Sequence, residues 1–541
     1  MHILRFGRYN AERVIRKGEE TVDILKKIEG YAGSQSERPA FKSRAGEISY
    51  GELWDRSGRL AMMIENLMYG STDPVIVYGH KDPMMIVCFL ACARSGRAYC
   101  PVDISTPAER TSQITRKIGK PLVLVAEKTV SLHGAEKQEM FPDCTWVLGY
   151  ETIREISCAD MIPVTIEPCS GEDDFYIIFT SGTTGKPKGV RISTNDLNNY
   201  LAWAVSIAGG IEERSVFMNQ APYSFDLSVM DLYLSLATGG TVVAVDRLLQ
   251  KDSYRLMDHL TGTGINYWVS TPSFADMCLA EESFDSDLLP EMKAFLFCGE
   301  VLPCETAGRL IKRFPAAKVI NTYGPTESTV CISEIQITEE MAARGEPLPV
   351  GRVRPGSEVV IDPETSEIII IGDTLSTGYY KDQKQTDKSF FFIHTSLTSG
   401  SSTGDRSSAD WNGSRAYRTG DKGHFDEQGN LFCDGRIDNQ IKLHGYRIEI
   451  EDIEANLASV QGIKRAAVAQ RIHDGKAESL TAFVIREGDE ITDDYFGRKA
   501  VRTALREKMP SYMVPKRVIF IDDLPVTDNG KLDRKRLREM A

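Results

Sequence analysis

The chain has 541 residues, of which 42% are hydrophobic and 26% charged, and its formal net charge is -13. This length exceeds what a single hydrophobic core comfortably serves, so two or more domains are expected. The acidic balance argues against nucleic acid or an anionic membrane as the main partner.

Residues 20–170 alternate helical and strand patterns. A helical stripe comprises Leu53, Leu60, Ala61, Ile64 and Leu67. Strand-like apolar runs follow at Val75–Tyr78 and Leu122–Val125, and the rhythm continues through Thr241–Val245 and Val319–Ile320. This alternation predicts largely parallel sheets covered by helices.

From about residue 350 to residue 435 the pattern changes to short strands and glycine-rich turns, for example at Glu367–Gly372. This portion is predicted to be β-rich. The Ser/Thr/Gly-rich stretch 395–415 predicts a mobile surface loop. Residues 438–541 then alternate strands and helices again, which predicts a small α+β domain.

Neither a membrane segment nor a disulfide framework is expected. The longest apolar run, Met84 to Ala93, is too short to span a bilayer. The first residues lack the apolar region of a signal peptide, so we expect a cytoplasmic protein. The 11 cysteines are scattered without a C-x-x-C pair, and most are expected to be reduced core residues.

A candidate phosphate loop, Thr180–Gly189, directly follows the apolar strand pattern Asp174–Phe179. Three glycines allow tight turns that point N–H groups at an anion, while four hydroxyls and two lysines add donors and charge. It is not a Walker loop, because Pro187 stands where Ser or Thr would hold Mg²⁺. A flexible surface hairpin is the alternative interpretation.

The loop resembles the phosphate loop of the adenylate-forming superfamily, which includes acyl-CoA synthetases, luciferases and peptide-synthetase adenylation domains. Segments resembling the other family motifs follow in the family's order, at Asn321–Glu327, Gly372–Tyr379, Tyr417–Asp421, Gly435–Lys442, Gly445–Glu449 and Asn529–Lys531. The resemblance implies a multidomain α/β fold. Residues 1–437 would form an adenylation core of two helix-covered, mostly parallel sheets plus a small distorted β-barrel. Residues 438–541 would form a mobile lid.

The resemblance implies that ATP and a carboxylate give an acyl-adenylate, which a thiol then attacks. Lys531 would reach the substrate carboxylate and the α-phosphate, although the basic residues that follow it also suit a solvated tail. Glu327 and Thr184 would hold Mg²⁺, Asp438 would be the hinge, and Gly445 would border the pantetheine channel. The remaining ATP-binding candidates are Thr180, Ser181, Gly182, Thr183, Lys188, Asn321, Thr322, Tyr323, Thr326, Asp421 and Arg436.

The segment Phe225–Ser228 resembles the amino-acid-activating branch of the superfamily. A buried carboxylate is costly unless it is paired, and the α-ammonium of an amino acid would pair with Asp226. A structural capping role is the alternative. By similarity the side-chain pocket would be lined by mostly apolar residues, namely Leu227, Met230, Cys278, Leu296, Cys298, Thr322, Val330 and Cys331.

Three further stretches, Tyr223–Asp231, Trp268–Leu279 and Phe297–Pro303, resemble the D-alanine–carrier-protein ligases of Gram-positive bacteria. The resemblance implies that D-alanine is loaded onto a separate phosphopantetheinylated carrier protein for (lipo)teichoic acid modification. Cys278 would help to favour the D enantiomer, or would be an inert buried thiol.

Three other interpretations remain open from the sequence. They are a stand-alone adenylation enzyme for another small amino acid, an acyl-CoA synthetase, and a catalytically silent binding scaffold. Asp226 argues against the second, because a fatty acid offers no ammonium. Lys531, Asp421 and Glu327 argue against the third.

Overall fold

The structure is a computed structural model. It describes residues 22–132, 134–144, 146–160, 165–182, 186–393, 414–443, 446–473, 476–488, 491–492, 494–526 and 532–541. The predicted surface loop at 395–415 therefore lies almost entirely outside the described residues.

Helices and strands alternate up to the phosphate loop, as the sequence predicts. In chain order they are α1 (Ile24–Ser34), β1 (Pro39–Ser43), β2 (Gly46–Ser49), α2 (Tyr50–Leu67), β3 (Val75–Gly79), α3 (Pro83–Arg94), β4 (Tyr99–Asp103), α4 (Ala108–Ile118), β5 (Leu122–Val125), α5 (Gly134–Met140), β6 (Trp146–Leu148), α6 (Tyr150–Cys158) and β7 (Asp174–Thr180). The helix predicted from the stripe at Leu53–Leu67 is α2, and a reciprocal capping box of Ser49 and Glu52 fixes its start.

The middle of the chain continues the alternation. It comprises β8 (Lys188–Ser193), α7 (Thr194–Ala204), β9 (Val216–Asn219), α8 (Leu227–Ala237), β10 (Thr241–Ala244), α9 (Arg247–Gln250), α10 (Ser253–Leu260), β11 (Tyr267–Ser270), α11 (Pro272–Leu279), β12 (Ala294–Phe297), α12 (Cys304–Arg313), β13 (Lys318–Tyr323), β14 (Ser333–Ile337), α13 (Glu339–Ala343), β15 (Arg352–Val353), β16 (Ser357–Ile361), β17 (Glu367–Gly372) and β18 (Gly378–Tyr379).

The remaining elements are α14 (Gln383–Ser389), β19 (Phe390–Phe392), β20 (Arg415–Phe425), β21 (Leu431–Arg436), β22 (Gln440–Leu443), β23 (Tyr446–Glu449), α15 (Ile450–Ala458), β24 (Ile463–His473), β25 (Lys476–Arg486), α16 (Tyr495–Lys508), β26 (Arg517–Phe520) and α17 (Arg534–Met540). Short 3₁₀ turns lie at Ile207–Gly209, Thr326–Ser328 and Ser511–Met513.

Two large sheets are built mostly from parallel strands. The nine-stranded sheet has the order β15-β14-β13-β12-β11-β9-β10-β1-β2, and its strands from β13 to β1 are parallel. The seven-stranded sheet has the order β18-β8-β7-β4-β3-β5-β6, and its strands from β7 to β6 are parallel. Both sheets are covered by helices, because buried strands of this type need a cover on each face.

The β-rich portion differs from the expected barrel. Among the described residues, β16, β17, β20 and β19 pair in that order, and β21 pairs with β20. All of these pairings are antiparallel. The strands thus form an open five-stranded sheet rather than a closed barrel, since β19 and β16 do not pair with each other.

The hydrophobic clusters of the described residues do not mix across residue 437. The largest cluster runs from Ile24 to Leu431 and a second spans Met218–Leu348. Two others, spanning Ile441–Val518 and Ala467–Leu537, belong wholly to the C-terminal portion. Each portion therefore has a core of its own. Among the described residues, no helix is both long and apolar enough to cross a membrane.

Gly324 follows β13 in a place where only a residue without a side chain fits. An added Cβ would lie 2.5 Å from Cys331 Cα and 2.8 Å from the carbonyl oxygen of Val330. Backbone atoms cannot yield as a flexible side chain does, so the 324–331 segment would have to move. This glycine thus fixes the segment that carries Thr326 and Glu327.

We expect Gly324→Ala to destabilise the protein by about 1–3 kcal/mol, because it overpacks a backbone contact. Gly308→Ala is the matched control. It lies within α12, its Cβ would be 3.8 Å from the nearest atom, and it should stabilise by roughly 0.5–1 kcal/mol through helix propensity. Thermal unfolding of the two variants measures both effects. An unchanged midpoint for Gly324→Ala would contradict the tight packing of this segment.

Candidate active site

Strands from both large sheets end at one cavity. In the nine-stranded sheet, β9, β11, β12 and β13 are followed by the lining residues Gln220, Thr271, Cys298 and Gly324. The seven-stranded sheet contributes the ends of β4 and β7, namely Pro101, Val102, Ile178, Phe179 and Thr180. Ligands of open α/β sheets bind at the carboxyl ends of parallel strands. The cavity measures about 1380 Å³ with its open mouth included.

The phosphate loop begins at the end of β7. The Oγ1 atom of Thr180 is buried at the cavity wall without a hydrogen-bond partner among the described residues. A Cβ on Gly182 would lie 2.2 Å from the carbonyl oxygen of Lys186, so the loop closes on a glycine. Lys188 is buried at the start of β8, and burial lowers the pKa of its ammonium. Thr183 and Thr184 lie outside the described residues.

A hydrogen-bonded chain links the predicted ribose ligand to the predicted hinge. The hydroxyl of Tyr323 donates to Asp421 over 2.6 Å, and Arg436 Nη1 donates to the other oxygen of Asp421 over 2.8 Å. The same guanidinium holds Asp438 through two bonds of 2.8 and 2.6 Å. Both carboxylate oxygens of Asp421 are therefore engaged. Asp438 lies in the connection between β21 and β22.

Two of the predicted ATP-binding residues use their side chains elsewhere. Asn321 Nδ2 donates to the carbonyl of Pro349 over 2.8 Å, and the Thr322 hydroxyl donates to the carbonyl of Phe297 over 2.8 Å. Both residues are buried and neither lines the cavity. In this arrangement their side chains fasten β13 to its neighbours, and their contact with ATP stays a prediction.

At the other end of the cavity, Asp226 precedes α8. Leu227, Cys298, Val330 and Thr326 line the wall with it. Burial raises the pKa of Asp226 to about 6, with the negative charge of Glu327 adding to the shift, while a hydrogen bond from Thr326 opposes it. A bound ammonium would oppose the effect of burial further. The carboxylate is therefore placed to receive a cationic group.

Other predicted pocket residues lie behind the wall. Cys278 is 1% exposed and packs with Trp268 and Phe274 in the second hydrophobic cluster, because α11 turns its side chain that way. Met230 is fully buried in the largest cluster. Neither lines the cavity, and the same holds for Leu296 and Cys331. Direct contact of Cys278 with a substrate is thus not supported. All eleven cysteines are free thiols, and seven of them are buried.

The hairpin of β22 and β23, from the C-terminal portion, covers the phosphate loop. Ser181 Oγ donates to the carbonyl of Arg447 over 2.9 Å and accepts from the backbone N–H of Glu449 over 3.2 Å. Lys188 Nζ lies 3.6 Å from Glu449. Next to the hairpin, the ring of Phe225 meets that of Tyr446 edge-on at 4.6 Å, and Tyr446 stacks on Tyr512 at 3.7 Å.

Arg447 joins the hairpin to a buried carboxylate by a salt bridge. Its Nη1 donates over 2.7 Å to Glu327, whose side chain is fully buried, and the hydroxyl of Tyr379 donates to the second oxygen over 2.8 Å. Burial alone would raise the pKa of Glu327, but Arg447 and Lys188 outweigh it and hold the pKa at about 2. Sequence reasoning noted the motif around Arg447 without assigning this role.

This arrangement does not provide a metal site at Glu327. Both of its oxygens are engaged by Arg447 and Tyr379. Within the described ranges, no group of three or more His, Cys, Asp or Glu side chains could hold a metal ion. Mg²⁺ would require the guanidinium to leave. Lys531 and Gly445 lie outside the described residues, as does Thr184, the second predicted metal ligand.

Comparison with known proteins identifies two family matches. The sequence profile described as AMP-binding enzyme matches residues 28–380, and the profile of the AMP-binding enzyme C-terminal domain matches residues 452–531. Among curated proteins, the chain is 40% identical to the D-alanine--D-alanyl carrier protein ligase of Bacillus licheniformis over 95% of this chain and 99% of that protein. It is 38% identical to the Listeria monocytogenes protein of that name over 96% and 99%.

Solved structures share the fold. An NRPS protein containing adenylation and PCP domains superposes with a TM-score of 0.76 at 24% identity, covering 95% of this chain and 84% of that one. A Vibrio cholerae adenylation domain in complex with glycyl-adenosine-5′-phosphate superposes with a TM-score of 0.73 at 20% identity, covering 99% of both chains.

The raised pKa of Asp226 predicts a pH-dependent stability difference. Between its ordinary value of 3.8 and about 6, the unfolded chain loses this proton while the native chain keeps it, so the contribution of Asp226 to stability falls as the pH rises. Asp226→Asn has no carboxylate to titrate, so its stability does not fall for this reason as the pH rises. In the absence of ligands, the variant should gain stability relative to the parent protein from pH 4 to pH 6.5, by roughly 1–2 kcal/mol.

Denaturant unfolding at several pH values measures the difference. Asp494→Asn is the control of opposite sign, because backbone hydrogen bonds from Gly497 and its neighbourhood lower the pKa of the exposed Asp494. That variant should lose stability relative to the parent as the pH rises. A pH-independent difference for Asp226→Asn would show that its carboxylate is not desolvated.

Proposed function

Since this chain belongs to the AMP-binding enzyme family, we propose that it uses ATP to activate D-alanine and then transfers the D-alanyl group to a carrier protein. In the first step a carboxylate oxygen of D-alanine attacks the α-phosphorus, and pyrophosphate leaves. In the second step the thiolate of a phosphopantetheine arm attacks the acyl carbon, and AMP leaves. The family and the 40% identity to a D-alanine--D-alanyl carrier protein ligase support this reaction.

The inference that the substrate is an amino acid rests on one observation, the desolvated carboxylate of Asp226 at the cavity wall. An α-ammonium placed beside it would form a charge-assisted hydrogen bond in a medium of low dielectric constant. The hydroxyl of Thr326 lowers the pKa of the same carboxylate, in the direction that a bound ammonium would reinforce. An acyl-CoA synthetase would leave this charge without a partner, because a fatty acid carries no ammonium.

The nucleotide would lie between the phosphate loop and Asp421. The unpartnered hydroxyl of Thr180 and the N–H groups around Gly182 suit phosphate oxygens. Lys188 brings a cation to the same place. Developing negative charge in phosphoryl transfer is stabilised mainly by such preorganised donors. Asp421 would receive the ribose hydroxyls once Arg436 or Tyr323 releases an oxygen, and Tyr323 would also stack on the adenine.

The two half-reactions would use two positions of the C-terminal portion. We assign residues 1–437 to the adenylation core and residues 438–541 to a lid that turns about Asp438. The contacts of the hairpin with Ser181 and Glu327 suit the transfer step, in which the motif around Gly445 borders the pantetheine channel. In the position for adenylation, Lys531 would occupy the place at the site that the hairpin holds in the transfer position. Such alternation of a lid domain exchanges groups at a fixed site.

A divalent cation belongs to the first of these positions. Glu327 and Thr184 would hold Mg²⁺ there, since Mg²⁺ prefers oxygen ligands and usually binds substrate phosphates at the same time. The ion would neutralise phosphate charge. In the second position the guanidinium of Arg447 takes its place at the carboxylate.

We assign the carrier protein to a separate molecule that presents its thiol in trans, as the name of the relatives suggests. The further fate of the D-alanyl group would be D-alanylation of (lipo)teichoic acid. The same chemistry at this site would also suit a stand-alone adenylation enzyme for another small amino acid. The amino acid that supports the reaction distinguishes that enzyme from a D-alanine ligase.

ATP–pyrophosphate exchange with a panel of amino acids and short fatty acids tests the function. We expect exchange with D-alanine to exceed that with L-alanine and glycine, and fatty acids to give none. If no amino acid in the panel supports exchange, the proposal that the enzyme adenylates amino acids is contradicted. Preference for L-alanine or glycine would retain the reaction type and overturn D-alanine as the substrate.

Two variants should separate the half-reactions. Lys531→Ala should lose exchange by about a hundredfold or more, because one preorganised cation is worth that much, yet still transfer the acyl group from preformed D-alanyl-adenylate. Arg447→Met should show the reverse pattern, because it breaks the contact that docks the hairpin. Lys499→Ala, on the exposed side of α16, is the control and should affect neither step. Equal loss of both steps in each variant would refute the division of roles.

A further inference from the structure

Lys81 is a lysine whose ammonium lies inside the protein. It follows β3 in the turn before α3 and is 3% exposed. Lysine is almost never fully buried unless it is paired, since removing an ammonium from water costs several kcal/mol. Burial lowers the pKa of Lys81 to about 7, and the negative charge of Asp231 opposes that shift. Packing alone therefore does not account for a lysine at this place.

All the close contacts of this ammonium lie on one short segment of the other large sheet. Lys81 Nζ donates to the carbonyl oxygen of Ala221 over 2.5 Å and to Oδ1 of Asn219. It also lies over the ring of Tyr223, 4.3 Å from the centroid. Lys81 extends from the seven-stranded sheet, whereas Asn219 is the last residue of β9 in the nine-stranded sheet. The lysine thus joins the two sheets.

The contact continues to the helix on the far side of the segment. Asn219 Nδ2 donates to Oδ1 of Asp231 over 2.6 Å, and Asp231 lies fully buried in α8. Burial raises the pKa of Asp231 to about 8, with the charge of Lys81 acting against it. The relay of Lys81, Asn219 and Asp231 therefore fastens both the strand that enters the 220–226 segment and the helix that leaves it.

Asp226 is the last residue of the segment that this relay encloses. It immediately precedes α8, and its side chain makes no capping hydrogen bond to that helix. The position of its carboxylate therefore depends on the backbone around it. Because Ala221 lies at the cavity wall and its carbonyl is held by Lys81, the start of the segment is fixed relative to the opposite sheet. A displacement of the backbone at Ala221 would therefore move the carboxylate of Asp226.

We propose that Lys81 is a positioning residue for the amino-acid subsite, which holds the 219–226 segment so that the Asp226 carboxylate meets the substrate ammonium. This inference rests on the proposed function and adds a residue that does not touch the substrate. We expect its effect to be confined to the amino acid, because the residues proposed for the nucleotide, Asp421, Tyr323 and Lys188, lie on other elements. A residue that only stabilises the fold would not discriminate between the two substrates.

The test is steady-state ATP–pyrophosphate exchange by Lys81→Met, which keeps an unbranched side chain and removes the charge. We expect KM for the amino acid to rise at least about tenfold, since a small misplacement of a positioning group has effects of this size. KM for ATP should stay within about twofold. Lys42→Met, which changes an exposed lysine on β1, is the matched control and should leave both values unchanged.

The outcomes separate this inference from the function on which it rests. If the parent enzyme gives no exchange with any amino acid, the proposed function fails. If the parent is active and Lys81→Met keeps the parent KM for the amino acid, or raises both KM values equally, the positioning role is refuted while the function stands. A lower kcat with both KM values unchanged would indicate a merely structural role and would also refute it.

A second variant covers the case in which Lys81→Met does not fold. Asn219→Ala removes the acceptor of Lys81 and the donor to Asp231 while leaving the bond from Lys81 to Ala221. It should raise KM for the amino acid by a smaller factor, about threefold to fivefold, with KM for ATP unchanged. An unchanged amino-acid KM would overturn the proposal. Loss of fold in both variants would overturn it as well, because the relay would then be a folding element.

Discussion

A buried carboxylate, Glu327, is the constraint around which the two portions of the chain are arranged. Its side chain is fully buried, and Arg447 reaches it from the C-terminal hairpin while Tyr379 donates from the other side. Removing one partner from a buried ion pair costs roughly 3–5 kcal/mol. Withdrawal of the hairpin is therefore costly unless another cation compensates Glu327, and Lys188 offsets part of that cost. This cost favours the docked position of the C-terminal portion.

The two ends of the cavity differ in their charge balance. At the end proposed for the nucleotide, Asp421 already accepts hydrogen bonds from Tyr323 and Arg436. At the amino-acid end, the negative charge of Glu327 adds to the desolvation of Asp226, and no ion pair to Asp226 is formed within the part of the chain that the structure describes. Lys442 and Arg447 at the cavity wall lower the pKa of Asp226 without offsetting the effect of burial. A zwitterion supplies an ammonium for this carboxylate together with the carboxylate that reacts, so electrostatics favours an amino acid before any side-chain pocket is considered.

Sequence reasoning predicted what depends on local pattern. The apolar periodicity of Val75–Tyr78 and its neighbours gave the parallel sheets, and the dense glycines and hydroxyls after β7 indicated the loop that lines the cavity. It failed where tertiary context decides. The pairing of short strands after residue 350 produced an open sheet, and the orientation of α11 turned Cys278 into the cluster of Trp268. Residue spacing carries no information on how two domains meet, so the roles of Arg447 and Lys81 were not foreseen.

The guanidinium of Arg436 joins the predicted ribose ligand to the predicted hinge, since it donates to Asp421 and to Asp438 at once. A ligand hydroxyl that takes the place of the arginine at this oxygen of Asp421 breaks one end of this link. Displacement leaves the arginine bound to Asp438 and to the carbonyl oxygen of Thr419, and therefore changes the forces on the segment between β21 and β22. Occupancy of the proposed nucleotide site and freedom of the proposed hinge would thereby be coupled through a single side chain, and each would alter the free energy of the other by the same amount.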